Sequence, residues 1–202
     1  DIVCSLKGQT TNVSGVYNSI MPAYFSGTDD FYGTQMKSGN GWKLNVQEKI
    51  RNITNAPKNQ IDNSDATYVF TDEDGTEHYF KLKSGEEAKG NPRSDATGAK
   101  RYFAFVSRDS NTHEVTMKDT DGLGLTLVYG FNFGENIYYK LSDSDGNVKY
   151  FDLFGYIVRE EEKNGTAVEY AYTGGQYVDK CITSVTDMYG TTSIEYNPDR
   201  TV

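Results

Sequence analysis

The chain has 202 residues, a net charge of −9 and a hydrophobic content of 36%, which together describe a globular protein. The acidic balance argues against nucleic-acid binding, because contacts to phosphates need dense lysine and arginine. The sequence contains no run of about 18 apolar residues, so it predicts no membrane span.

Residues 1–66 predict an N-terminal β segment with long loops. Within this segment, residues 41–50 predict one half-buried strand, because Trp42, Leu44 and Val46 alternate with polar neighbours. Residues 1–20 predict extended chain. Residues 21–40 predict a long loop, because they are rich in glycine, serine, threonine and aspartate, and residues 56–66 predict a polar loop.

Residues 67–202 predict a β-hairpin repeat region built on acidic turns that end in glycine. In the clearest unit, the turn Asp143-Ser-Asp-Gly146 separates the strand-forming runs Tyr139-Lys-Leu and Val148-Lys-Tyr-Phe. Aspartate bonds its own backbone in tight turns, and glycine accepts a positive φ without steric cost. Related turns end at Gly75, Gly122, Gly165 and Gly190. Leaving out the first gap, the turn glycines recur at intervals of 24, 19 and 25 residues, which indicates stacked hairpins with a shared core.

Residues 84–100 contain almost no apolar side chain beyond alanine and predict a mobile loop. No segment has a capped apolar stripe with a 3.6-residue period, so little helix is expected. The predicted fold class is therefore all-β, with successive antiparallel hairpins forming a curved, repeat-like β-sheet. We expect the two regions to form one continuous domain, as a fragment of a larger protein.

Seven motifs follow one another along the chain: Val16–Ser19, Gly39–Ile50, Tyr68–Phe80, Asp119–Leu127, Asp143–Asp152, Ile182–Gly190 and Ile194–Asn197. Their order over residues 13–200 resembles the region that opens the repeat shell of bacterial RHS/YD-repeat proteins, including wall-associated proteins of Gram-positive bacteria. The resemblance implies a secreted or cell-surface structural module whose β-strips coil into a hollow shell. Its expected partners are the rest of the parent shell and an encapsulated C-terminal domain, which in related toxins is the toxic part.

One departure from the family limits what the resemblance carries over. Tyr172 is followed by Thr173-Gly-Gly, where the family often has aspartate. The resemblance therefore implies architecture and context, and no active site.

The sequence itself also predicts no enzyme, no cofactor and no metal. His78 and His113 are the two histidines, and neither a zinc-protease nor a serine-hydrolase motif occurs. The Asp-x-Asp-Gly stretches place glycine at the fourth position and lack the final glutamate of a calcium loop, so turn chemistry explains them better. A hydrolase with two facing carboxylates is a further hypothesis, which sequence alone cannot locate.

The alternative function is a carbohydrate-binding module of a surface protein, with a cell-surface glycan as its partner. Exposed aromatic side chains often mark a binding site, and Trp42, Tyr138 and Tyr139 are the predicted ligand-binding residues. The two cysteines, Cys4 and Cys181, form either one disulfide or two buried thiols.

Overall fold

The structure is a computed structural model that describes residues 13–17, 42–52, 68–82, 92–94, 100–102, 115–130, 133–134, 136–175 and 178–195. Throughout these ranges the regular structure is β-strand, which confirms the predicted all-β class. The same ranges contain no helix that is long and apolar enough to cross a membrane.

Fifteen strands lie within the described ranges. In chain order they are β1 (Gly15–Tyr17), β2 (Trp42–Leu44), β3 (Lys49–Asn52), β4 (Tyr68–Thr71), β5 (Glu77–Leu82), β6 (Pro92–Ser94), β7 (Lys100–Tyr102), β8 (Val115–Asp119), β9 (Thr126–Tyr129), β10 (Tyr139–Ser142), β11 (Val148–Phe151), β12 (Ile157–Glu161), β13 (Ala167–Gly175), β14 (Val178–Asp187) and β15 (Gly190–Ser193).

Eleven of these strands form one sheet, in the order β3-β4-β5-β8-β9-β10-β11-β12-β13-β14-β15. Every neighbouring pair in it is antiparallel, which confirms the predicted succession of hairpins. Strands β1 and β2 form a separate pair, as do β6 and β7. Because β3 pairs with β4, one sheet joins the two regions that meet at residues 66 and 67.

The acidic turns fold as their composition predicts. Asp143 Oδ1 accepts hydrogen bonds from the backbone N–H groups of Asp145, Gly146 and Asn147 at 2.9, 2.8 and 2.9 Å. Gly146 adopts a φ of 95°, which a residue with a Cβ adopts only under strain. Because successive strands alternate in direction, the turns at 72–75, 119–122, 143–146, 162–165 and 187–190 lie at the same end of the sheet.

The sheet curls until β3 touches the turn between β11 and β12. The Ile50 N–H donates to Gly155 O at 2.8 Å, and Lys49 forms an antiparallel bridge with Tyr156. Strand β11 is the sixth strand after β3 in the sheet order. In a flat sheet, six steps would separate two strands by roughly 30 Å, so the sheet is strongly curved and closes on itself.

Apolar side chains fill the space inside the curl. Phe70 on β4 packs edge-on against Phe151 on β11, with ring centroids 5.9 Å apart. Tyr68 on β4 packs in the same way against Tyr139 on β10, at 5.8 Å. The core therefore joins strands that are distant in the sheet order, and it includes Ile50, Phe80, Met117, Leu127, Leu141, Ile157, Tyr170, Ile182 and Val185.

Two local predictions are wrong. The single strand predicted over residues 41–50 is divided into β2 and β3, because the chain turns between Leu44 and Gln47. The Gln47 N–H donates to Leu44 O at 2.9 Å, and the Gln47 side-chain oxygen accepts from the Leu44 N–H at 3.0 Å. The loop predicted over residues 84–100 contains β6, whose backbone pairs with β7. The other residues of that loop up to 99 lie outside the described ranges.

Candidate functional site

A group of buried and partly buried polar side chains lies at the closure of the sheet and is here named the closure cluster: Lys43, Glu48, Lys149, Glu160 and Tyr170. Lys149 Nζ donates to Glu48 Oε1 at 2.5 Å and to Glu160 Oε1 at 2.8 Å. The Tyr170 hydroxyl donates to the other oxygen of Glu160 at 3.0 Å. The cluster therefore connects the segment before β3 with β11, β12 and β13.

Strand register brings two of these residues to one face of the sheet. Lys149 on β11 lies directly opposite Glu160 on β12, and cross-strand partners share a face. Glu48 is not part of this strand pair, because it lies in the segment immediately before β3. Its position therefore depends on the closing contact of Ile50 with Gly155, two residues further along the chain.

Burial shifts the protonation equilibria of the closure cluster. Glu48 is 4% exposed, and this burial raises its pKa to about 7 although Lys149 acts in the opposite direction. Burial alone would lower the pKa of Lys149, but Glu48 and Glu160 more than offset this and raise it. Burial, followed by the charge of Glu160, raises the pKa of Tyr170. Glu48 Oε2 is buried without a hydrogen-bond partner, which adds to the cost of its charge.

Lys43 connects the closure cluster to the turn between β4 and β5. Lys43 is 1% exposed, and its Nζ donates to the backbone oxygens of Leu44, Asn45 and Glu73 at 3.2, 3.4 and 2.8 Å. Burial lowers the pKa of Lys43 to about 8, while the nearby Glu48 charge opposes the change. The ammonium group thus joins two turns that are about thirty residues apart in the chain.

The charged ends of Lys43 and Glu48 are enclosed, so a dissolved substrate cannot reach them without opening the sheet. Within the described ranges, no group of three or more His, Cys, Asp or Glu side chains has a geometry that could hold a metal ion. The contacts of Lys149 with Glu48 and Glu160 hold the closing segment against β11 and β12.

A second polar group, here named the His78 cluster, consists of His78, Asp72 and Asp121. His78 Nε2 lies 3.1 Å from Asp72 Oδ2, and Nδ1 lies 3.2 Å from Asp121 Oδ2. His78 is 9% exposed, and its imidazole stacks on Phe70, with centroids 5.9 Å apart. His78 thus packs against one aromatic ring of the neighbouring strand, whereas His113 lies outside the described residues.

The three residues predicted to bind carbohydrate lie in different environments. Tyr139 is 7% exposed and packs against Tyr68 and Tyr129 in the core, at 5.8 and 5.0 Å. Tyr138 is half-buried against the same core, and the side chain of Trp42 lies outside the described part. Since the Tyr139 ring is enclosed, sugar stacking by this set stays a prediction that concerns mainly Trp42 and Tyr138.

The cysteine alternatives stay open, because Cys181 is buried and Cys4 lies outside the described residues.

Sequence reasoning missed the closure cluster. Lys149 and Glu160 lie in alternating strands, where a charged residue ordinarily predicts the solvent face. Lys43 and Glu48 are charged residues of the stretch that predicted a single half-buried strand. One sequence signal pointed to the turn at the closure, because Asp152-Leu-Phe-Gly155 repeats the acidic-glycine pattern. In the structure, Asp152 Oδ1 accepts hydrogen bonds from the N–H groups of Phe154 and Tyr156 at 2.9 Å each.

No family model and no curated protein matches the chain. Among solved structures, it is similar to the N-terminal domain of the effector protein SpvB from Salmonella typhimurium strain LT2, with 13% identity and a TM-score of 0.45 over 96% of this chain and 64% of that one. It is also similar to a chain of the TcdB2-TccC3-Cdc42 structure, with 12% identity and a TM-score of 0.43, and to one of TcdB2-TccC3, with 12% and 0.42. In each of these two, the match covers 76% of this chain and 8% of the other.

Proposed function

We propose that the chain is a non-enzymatic structural module: the start of an RHS/YD-type β-repeat shell in a secreted or cell-surface bacterial protein. The observation that carries the proposal is the single sheet of eleven antiparallel strands, which curls until Ile50 bonds to Gly155. A strip of hairpins that wraps around itself is what a shell wall requires. The motif order that resembles RHS/YD proteins supports the same function.

The interior of the curl is filled by side chains, which limits what the module can enclose. Aromatic and aliphatic side chains such as Phe70, Phe80 and Phe151 pack across it. This part of the strip therefore seals an end of the proposed shell, because its own core occupies the space. An encapsulated C-terminal domain would lie within wall added after β15.

The two ends of the strip differ in a way that favours addition at β15. The outer edge of β3 is covered by the turn that contains Gly155 and Tyr156. Strand β15 is the last strand of the described sheet. The Ile194 N–H donates to Thr183 O of β14 at 2.8 Å. Because backbone directions alternate along a strand, Ser193 directs its N–H and C=O away from β14, toward the position of a further strand.

The proposal is tested by light scattering over a range of concentrations. The isolated chain should self-associate through the β15 edge, because an edge strand pairs readily with another chain. Ser193→Pro removes the outward N–H and should reduce the association, whereas Ser193→Ala retains the backbone donor and should not. A strict monomer at all concentrations, or equal association of the two variants, would contradict addition at this edge.

A further inference from the structure

The His78 cluster joins two of the acidic turns that recur along the chain. Asp72 begins the turn between β4 and β5, and Asp121 lies in the turn between β8 and β9. These turns are neighbours at one end of the sheet, since β5 pairs with β8. His78 on β5 is the side chain that reaches both of them.

The geometry constrains the protonation of His78. Each ring nitrogen lies within hydrogen-bond distance of a carboxylate oxygen, at 3.1 Å for Nε2 and 3.2 Å for Nδ1. An ionised carboxylate only accepts hydrogen bonds, and a neutral imidazole has a single N–H donor. Both contacts are therefore hydrogen bonds at the same time only when His78 is an imidazolium carrying two N–H groups.

We propose that His78 is a pH-sensitive link that, as an imidazolium, holds the turn at Asp72 to the turn at Asp121 and releases one of them when it loses a proton. The inference goes beyond the proposed function, because it depends on three side chains and not on any role of the shell. It identifies a position where raising the pH loosens the end of the sheet that carries the acidic turns.

The groups that face the imidazole favour its charge. Asp72 and Asp121 are the carboxylates beside it, and on its own face of the sheet Phe70 supplies an uncharged ring. The side chain of Lys43 reaches the Asp72 turn from β2, where its Nζ donates to Glu73 O at 2.8 Å. The hydrogen bond that His78 donates to Asp72 raises the pKa of His78 above 6.5, and the bond to Asp121 adds to this although burial opposes it.

Asp72 determines the lowest pH at which the ion pair with His78 is formed. Burial alone would raise the pKa of Asp72, but hydrogen bonds from His78 and from the Thr76 N–H lower it below 3.8. The Asp72 contribution to stability is present above pH 3.8 and is lost as the pH falls through its folded pKa. The His78 contribution is present below pH 6.5 and is lost as the pH rises through its raised folded pKa, so the link is complete between these two values.

The test is an NMR titration of the two histidine side chains in the 202-residue chain, with His113→Gln used to assign the signals. The His78 midpoint should lie above 6.5, and Asp121→Asn should lower it. The backbone amides of both turns should shift with the same midpoint as the His78 ring. A midpoint at or below 6.5, or one that Asp121→Asn leaves unchanged, would overturn the proposal.

A stability measurement provides the second readout. As the pH rises through the His78 midpoint, the wild-type chain should lose unfolding free energy relative to His78→Gln, which has no titrating ring. Parallel curves for the two chains would contradict the link. The titration of the wild-type chain decides the question if His78→Gln does not fold.

Discussion

The hairpins from β10 to β15 and the closure between β3 and the β11–β12 turn are held by contacts of very different sequence range. In the hairpins, a turn aspartate bonds backbone groups two to four residues ahead of it, as Asp143 does. At the closure, Glu48 and Lys149 meet although 101 positions separate them in the chain. The first kind of contact specifies a turn, and the second specifies where the curled sheet stops.

The difference has a thermodynamic consequence. A hairpin orders few residues for each bond that it forms, whereas the closure requires the intervening sheet to be assembled first. We therefore expect substitutions at the closure to affect the whole curl, and substitutions in an acidic turn to affect one hairpin. Substitutions at three positions, each with a control, test this contrast.

The largest effect is expected for Gly155→Ala. A Cβ at this position would lie 1.8 Å from the Ile50 carbonyl oxygen, and the backbone already has a φ of 79°. Strain in the left-handed region and loss of the closing hydrogen bond together should lower the free energy of unfolding by about 3 kcal/mol or more. Urea unfolding monitored by tyrosine fluorescence measures the change.

Gly165→Ala is the matched control for this prediction. Gly165 has a similar φ of 89°, but an added Cβ would meet nothing within 4 Å. The free energy of unfolding of this variant should therefore fall only by the backbone strain, about 1–2 kcal/mol. Equal losses for the two variants would mean that the contact with Ile50 adds nothing to stability.

A smaller loss is expected for Lys149→Met. The substitution leaves Glu48 buried without its cation, and removing one partner of a fully buried pair costs roughly 3–5 kcal/mol. The Lys149 side chain is 31% exposed, so we expect about 2 kcal/mol at neutral pH. The exposed Lys118 on β8 provides a control, and Lys118→Met should change the stability by less than about 0.5 kcal/mol.

The loss for Lys149→Met should also depend on pH. Burial raises the pKa of Glu48 from 4.5 to about 7 even with Lys149 present, and without the lysine the pKa should rise further. The native state then binds more protons than the unfolded state above pH 4.5, so the variant loses stability as the pH rises. Thermal unfolding at pH 5 and pH 8 would show this, and a loss that is the same at both would contradict it.

The smallest effect is expected in an acidic turn. Asp143→Ala removes the acceptor for three backbone N–H groups, which at this exposed site should cost about 1 kcal/mol. Asp145→Ala, in the same turn, is the control and should be nearly neutral. Amide hydrogen exchange should increase mainly in the β10–β11 hairpin, and a loss of protection extending to β3 would remove the contrast with the closure.

Much of the fold could be predicted from sequence, because acidic-glycine turns act locally. Asp143, Gly146 and the alternating residues on either side specify a hairpin without information from the rest of the chain. The same reasoning failed over residues 41–50, where apolar alternation was interpreted as one strand. There the bonds between Gln47 and Leu44 produce a turn that propensity does not reveal.

The candidate sites were less predictable. Nothing in the sequence links Asp72 with Asp121 through His78, because their proximity follows from the β5–β8 pairing. Tyr139 was predicted as a ligand-binding residue, and it is enclosed in the core instead of lying on an open aromatic surface. The alternating pattern of a strand shows which residues share a face of the sheet. It does not show which face is buried when the sheet curls.

By itself, then, the sequence determined the all-β class and the positions of the hairpins, since these depend on interactions within a few residues. Only the tertiary structure decided that the strip closes at Ile50 and Gly155 and that Lys43 and Glu48 are buried there. The physical reason is that burial of a charge depends on partners supplied by distant strands. Those partners, and the curvature that brings them together, are properties of the assembled sheet.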